Sequence, residues 1–204
     1  MDRRDFLKTL AAAGAMLTMK SNGVMDIMAS TLPGTATAQA AADNYADMAA
    51  IMNGEPAAML RAALEQLGGI KRFVKKGDKV TLKPNIGWDR TPELAANTNP
   101  DLIVEMIKQC QNAGAAEVRV FDHTCDEWTR CYDHSGIDKA VKAAGGIMVP
   151  ANEESYYQEI ELPKGKALKK AKVHKAILES DVWFNIPVLK NHGGARLTIA
   201  MKNH

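Results

Sequence analysis

The residues best equipped for chemistry fall in three short segments of this chain. Cys125 and Cys131 stand six positions apart and are flanked by His123 and His134. Thiolate and imidazole are soft and borderline donors. His123, Cys125 and Cys131, with His134 nearby, therefore read as a candidate ligand set for zinc or iron. Cys125 and Cys131 equally suit a disulfide in an oxidising compartment, and a free thiol there suits redox chemistry. These three readings stay open. Asp122 has the chemistry of a metal ligand or a general base, and equally that of a cap for the following turn. Lys83 and Lys190 offer ammonium groups to a carboxylate or phosphate, or act as acid or base when desolvated. Asn85 and His192 join them as polar contacts for a small anionic substrate. The backbone of Gly193 and Gly194 either holds an anion or oxyanion on its amides or simply turns the chain. Asp122, Lys190 and His192 are the catalytic candidates, and Lys83, Asn85, Gly193 and Gly194 the substrate-binding ones.

Several chemistries are excluded. Three cysteines cannot supply the four thiolates of an ordinary iron–sulfur cluster, and no C-x-x-C run exists. The chain lacks H-E-x-x-H, G-x-G-x-x-G and a Walker-type lysine loop. His192-Gly193-Gly194 is similar to a stretch of esterases, but without a G-x-S-x-G elbow an α/β-hydrolase is not indicated. With 204 residues and a formal charge of +2, there is no polybasic footprint for nucleic acid. The lysines between Lys164 and Lys175 read as a solvated segment.

Those residues need a frame to bring them together. Pro56 sits where a helix favours its first residue, and Ala57–Leu67 continues with an apolar face until Gly68-Gly69. Lys79–Lys83 reads as the first strand, ended by Pro84. A helix capped by Thr98 or Asn99 buries Leu102, Ile103, Met106, Ile107 and Cys110 and closes at Gly114. Glu117–Phe121 is a second strand, Ile137–Ala144 a short helix and Ile147–Val149 a third strand. After an irregular stretch, Val173–Glu179 reads as helical, and Asp181–Ile186 as a fourth strand covered on both faces. Trp88 and Trp183 read as core. Ala195–Lys202 reads as the start of a helix that lacks a cap at His204, so a missing C-terminal portion is expected. Alternating strands and helices imply an α/β single domain, with a parallel or mostly parallel sheet and helices on both faces. Open sheets of this kind bind ligands beyond the carboxyl ends of their strands. The segments after the first, second and fourth strands are where the reactive residues lie.

The first forty residues differ in character. Arg3-Arg4-Asp5-Phe6-Leu7-Lys8 resembles the twin-arginine export motif, and a mildly apolar stretch follows from Thr9 to Met19. That stretch is too short for a stable membrane anchor. Ala38-Gln39-Ala40 supplies an Ala-x-Ala site, with cleavage expected after Ala40. The expected division is therefore a signal peptide at 1–40, a linker at 41–55 and an α/β domain at 56–204. The resemblance implies handling by the export translocon and a periplasmic or otherwise exported location.

Lys83-Pro84-Asn85, Asn97-Thr98-Asn99-Pro100, Asp122-His123-Thr124-Cys125 with Cys131-Tyr132, Ser135-Gly136-Ile137, and Val188 to Gly194 running into Met201-Lys202-Asn203 together resemble the family called domain of unknown function 362. The resemblance spans about residues 70–204. It assigns no reaction. Some members carry ferredoxin-type iron–sulfur modules, which implies a metal or redox association. The leading expectation is an exported metal- or redox-linked enzyme acting on a small anionic molecule. The alternatives are a periplasmic binding or accessory protein with a structural disulfide, and a partner subunit of a redox complex.

Overall fold

The computed structural model of the chain describes residues 45–203, so the expected signal peptide and its cleavage site lie outside the described residues. Residues 45–55 form neither helix nor strand. Helix α1 (Pro56–Gln66) opens on proline, whose missing N–H is one a helix start leaves unbonded anyway. Strand β1 (Lys79–Pro84) leads to helix α2 (Pro100–Ala113), where the Asn99 side chain accepts from the Asp101 amide at 2.8 Å. Gly114 ends α2 with φ +94°, a left-handed value that a side chain would oppose. Strand β2 (Glu117–Val120), helices α3 (Trp128–His134) and α4 (Ile137–Ala143), and the two-residue strand β3 (Ile147–Met148) follow. Next come β4 (Tyr157–Glu161), β5 (Lys170–His174), the short helix α5 (Lys175–Leu178) and β6 (Val182–Ile186). The described chain closes with β7 (Lys190–His192), β8 (Arg196–Thr198) and α6 (Ala200–Asn203).

The main sheet has four parallel strands in the order β3-β2-β1-β6. Strand alternation sorts its side chains onto two faces. Val80 and Leu82 of β1 and Val118 and Val120 of β2 pack with Ile103, Met106, Ile107 and Cys110 of α2 and with Ile137 and Val141 of α4. Cys110 is fully buried there, and burial pushes its thiol up to about 12. Thr81 and Phe121 face the other way. Thr81 donates to the Ala176 carbonyl at 2.8 Å, and Phe121 packs on Ala151 and Ala176. Right-handed crossovers explain the split. The steps from β1 to β2 to β3 move in one direction and lay α2 and α4 on one face. The return to β6 reverses direction and lays α5 on the other.

Four expectations are corrected. The irregular stretch before α5 is an antiparallel hairpin, β4 with β5, and Val173 and His174 belong to its second strand. Ala171 and Val173 alternate with exposed lysines, a period of two that the helical reading overlooked. Lys170 and Lys172 pair with Glu159, Glu161 and Glu154 across that hairpin. β6 lies at the edge of the sheet and packs Val182, Phe184 and Ile186 on the core, while Trp183 on its other face is 37% exposed, so that face is not fully covered. Trp88 is no core residue either, at 36% exposed. At the C-terminal end, β7 and β8 pair as a hairpin, so the expected helix from Ala195 is reduced to the four residues of α6.

Candidate functional site

Strand order reverses between β1 and β6, which makes the space beyond their carboxyl ends the topological switch point of the sheet. In register, Lys83 stands beside Asn185 and Pro84 beside Ile186 at this edge. A cavity of about 80 Å³ opens there. Asn85 and Trp88 reach it from the segment after β1, Cys125 from the segment after β2, and Lys190 and His192 from the hairpin after β6. The three segments that carry the reactive residues do meet in one cleft.

Beneath the cleft lies an ion pair. Lys83 Nζ donates to Asp122 Oδ1 at 2.5 Å, and the Ile86 amide donates to Asp122 Oδ2 at 2.7 Å. Burial pushes the Asp122 carboxyl above the usual carboxylate range, while the Lys83 ammonium and the backbone donors pull it back. The Tyr132 hydroxyl donates to the Asp122 carbonyl at 2.8 Å and fixes the backbone of the same residue. Both carboxylate oxygens are thus committed to holding the ends of β1 and β2 together. Asp122 acts as a girder beneath the cleft and is not among the residues that line it.

Lys190 is placed differently. Its Nζ donates to Asn85 Oδ1 at 2.8 Å and to the Ala96 carbonyl, and lies 5.8 Å from the centre of the Trp88 ring. These partners are neutral, and among the described residues no carboxylate bonds to the ammonium. Burial pushes it below the ordinary lysine value and Lys202 adds in that direction, while Cys125 and Asp122 oppose. Its backbone is pinned by Thr198, whose hydroxyl accepts from the Lys190 amide at 3.1 Å and donates to the Val188 carbonyl at 2.6 Å. Asn85 Nδ2 donates to Asn203 Oδ1 at 3.3 Å, and Asn203 Nδ2 in turn donates to Asn185 Oδ1 at 2.8 Å and the Lys83 carbonyl at 3.1 Å. The Thr98 hydroxyl accepts from the Asn85 amide and donates to the Ile186 carbonyl, each at 2.8 Å. This amide and hydroxyl chain ties β1, β6 and α6 into a rigid wall behind Lys190.

Trp88, Thr198, Lys202 and Asn203 also line the cleft and were not site candidates from the sequence. Asn203 and Lys202 lie in a recognised motif segment, but nothing local distinguishes them from surface polar residues.

The remaining candidates separate. His123 is exposed, and its Nδ1 lies 2.8 Å from the Ala151 carbonyl. Cys131 is fully buried in the core, and burial, reinforced by Asp126, pushes its thiol up to about 11. His134 pairs with Asp89 at the surface. Cys125 and Cys131 are free thiols in this structure, one exposed and the other buried. Among the described residues, no three His, Cys, Asp or Glu side chains converge as a ligand set. His123, Cys125 and Cys131 therefore do not fit zinc or iron, because α3 turns Cys131 inward while His123 faces Ala151. Gly193 and Gly194 form the turn between β7 and β8. The Gly194 and Ala195 amides donate to His192 Nδ1 at 3.1 and 2.9 Å, which spends them on the imidazole. His192 is thereby held in one orientation at the cleft wall.

The fold and site define an α/β protein with a lysine- and asparagine-lined cleft at the switch point of a parallel sheet. Residues 80–204 match the model of the domain of unknown function (DUF362), and the chain belongs to that family. Residues 1–19 match the twin-arginine translocation pathway signal sequence, so the chain is marked for export by that route. It is similar to a thylakoid-associated protein of Synechocystis sp. (strain ATCC 27184 / PCC 6803 / Kazusa), 27% identical over 150 residues, covering 74% of this chain and 45% of the relative. The chain thus spans less than half the length of that relative. No solved structure matches it.

Proposed function

We propose that this exported protein binds a small anionic molecule in the β1/β6 cleft, with Lys190 as the anchoring cation and Cys125 as the group placed to react. The observation that carries the reading is the contrast between the two lysines. Lys83 has its charge compensated by Asp122 within the protein. Among the described residues Lys190 bonds only neutral oxygens in a partly dry cleft, with Lys202 on the same wall. A partly buried ammonium without an acidic partner is most stable when an anion supplies the missing charge. A cavity of about 80 Å³ suits a carboxylate or phosphate group; sites for drug-sized molecules run to roughly 300–1,000 Å³.

The division of labour follows from position. Lys190 and Lys202 attract the anion, the second N–H of Asn85 Nδ2 orients it, and Asn203 holds Asn85 in place. His192 offers the anion an N–H donor at Nε2, because Nδ1 accepts from the turn amides. Cys125 stands at the opening as an exposed thiol, which supports a redox-linked role over a purely structural one. Calorimetric titration with inorganic phosphate and with acetate tests the binding step. Saturable heat with either anion, lost in Lys190→Gln and weakened by salt, supports the reading. Equal binding by wild type and Lys190→Gln contradicts it.

A further inference from the structure

We infer that the cleft takes a small monocarboxylate with a short apolar tail, of the size of propionate or butyrate, in preference to phosphate. This rests on reading the β1/β6 cleft as an anion site, and it names the class of anion. Most polar groups around the cleft are already engaged. Lys190 Nζ carries three N–H bonds and directs two of them to Asn85 Oδ1 and the Ala96 carbonyl. Asn85 Nδ2 directs one of its two to Asn203 Oδ1. Asn203 Nδ2 donates to the Lys83 and Pro84 carbonyls and to Asn185 Oδ1, and the Thr198 hydroxyl donates to the Val188 carbonyl. Among the described residues this leaves one N–H each on Lys190, Asn85 and His192 Nε2, with the exposed ammonium of Lys202 beside them. A carboxylate offers about four lone-pair positions, which matches that supply. Inorganic phosphate carries twice as many oxygens and would leave several unpaired out of water, at a cost. Charge agrees. Water screens the exposed Lys202, so one half-buried ammonium awaits compensation, and a single negative charge supplies it.

The rest of the lining is apolar. Trp88, Pro187 and Val188 border the same cavity. Lys190 Nζ lies 5.8 Å from the centre of the Trp88 ring, so a molecule bound to this ammonium also meets the indole. The face of an aromatic ring is electronegative; it repels an oxyanion and accepts hydrocarbon. Pro187 and Val188 add aliphatic side chains. Cys125 continues this character. A Cβ at Gly87 would lie 3.6 Å from Asn85 Nδ2 and 3.7 Å from Cys125 Sγ, so the amide and the thiol are neighbours. A thiol behaves as a small hydrophobe with a weak donor and gives a further oxygen no strong partner. A ligand with oxygens at one end and carbon at the other satisfies both kinds of wall. Phosphate, polar all round, does not. The tail is short because the cavity holds only about 80 Å³.

Calorimetric titration of the full chain with acetate, propionate, butyrate and inorganic phosphate, at matched ionic strength, tests the inference. Affinity should rise about fourfold with each methylene from acetate to butyrate, the gain from burying one CH2 group. Phosphate should bind more weakly than any of the three. Trp88→Ala should flatten the rise while acetate still binds, and Lys190→Gln should abolish binding of the whole series. Equal affinity along the carboxylate series overturns the inference, as does Lys190-dependent phosphate binding tighter than that of propionate; in either case the anion site itself stands. Carboxylate binding unchanged in Lys190→Gln overturns the anion site and the inference together.

Discussion

Lys83 and Asp122 meet at 2.5 Å beneath the cleft, with side chains only 12% and 4% exposed, so the carboxyl ends of two neighbouring strands are joined by a buried ion pair. Removing one partner leaves the other charge stranded. Asp122→Ala is expected to lower unfolding stability by about 3–5 kcal/mol, the usual cost of breaking a buried pair from one side. Asp122→Asn should cost less, because its side-chain oxygen still accepts from Ile86. Urea unfolding of the three proteins checks this. A loss under about 1 kcal/mol for Asp122→Ala would mean that the pair is solvated.

His174 gives the second face of the sheet a dependence on pH. It is 3% exposed and stacks on Phe121 at 3.9 Å. Its Nδ1 accepts from the Ala176 amide at 3.0 Å, which caps α5, and its Nε2 lies 3.1 Å from the Pro150 carbonyl. Both contacts are satisfied by the neutral ring with its proton on Nε2. Burial holds the folded value below the ordinary 6.5, with Pro150 and Glu179 opposing and Lys175 assisting. Below the unfolded value the unfolded chain therefore takes up a proton that the folded chain resists. The contribution is complete above about pH 6.5 and falls away as acid approaches the lower folded value. Denaturation midpoints across this range should fall more steeply for wild type than for His174→Gln. Parallel curves would contradict the assignment.

Thiol reactivity separates the three cysteines. Cys125 is exposed, whereas Cys131 and Cys110 are buried, with burial pushing them up to about 11 and about 12. An aromatic disulfide reagent should titrate one thiol quickly in the native protein and the other two only after denaturant is added. Two thiols missing from the total even after denaturation would point to a Cys125–Cys131 disulfide instead.

Much of this was legible in the sequence because the signals were local. Asn99, Pro100 and Gly114 mark the ends of α2 by capping chemistry alone, and the apolar run of β1 needs no tertiary information. The grouping of Asn85, Cys125, Lys190 and His192 followed from a rule of topology applied to the segments after strands. What could not be read depends on long-range pairing. That Lys83 is neutralised and Lys190 is not follows from distances to Asp122, Asn85 and Ala96, residues up to 105 positions away. Cys131 sits near Cys125 in sequence, but the helical turn of α3 sends its sulfur into the core. The β4–β5 hairpin was hidden because its exposed lysines and glutamates also suit a loop, and only cross-strand pairing fixes them.

The account rests on a cationic cleft around Cys125, and alkylation of that thiol measures it directly without knowledge of the natural ligand. Iodoacetate and iodoacetamide differ in charge but little in size. In the native protein, Lys190 and Lys202 should raise the iodoacetate-to-iodoacetamide rate ratio at Cys125 above that of the denatured chain. The excess should shrink with salt and disappear in Lys190→Gln. A native ratio equal to the denatured one, or unchanged in Lys190→Gln, would contradict the anionic-ligand reading.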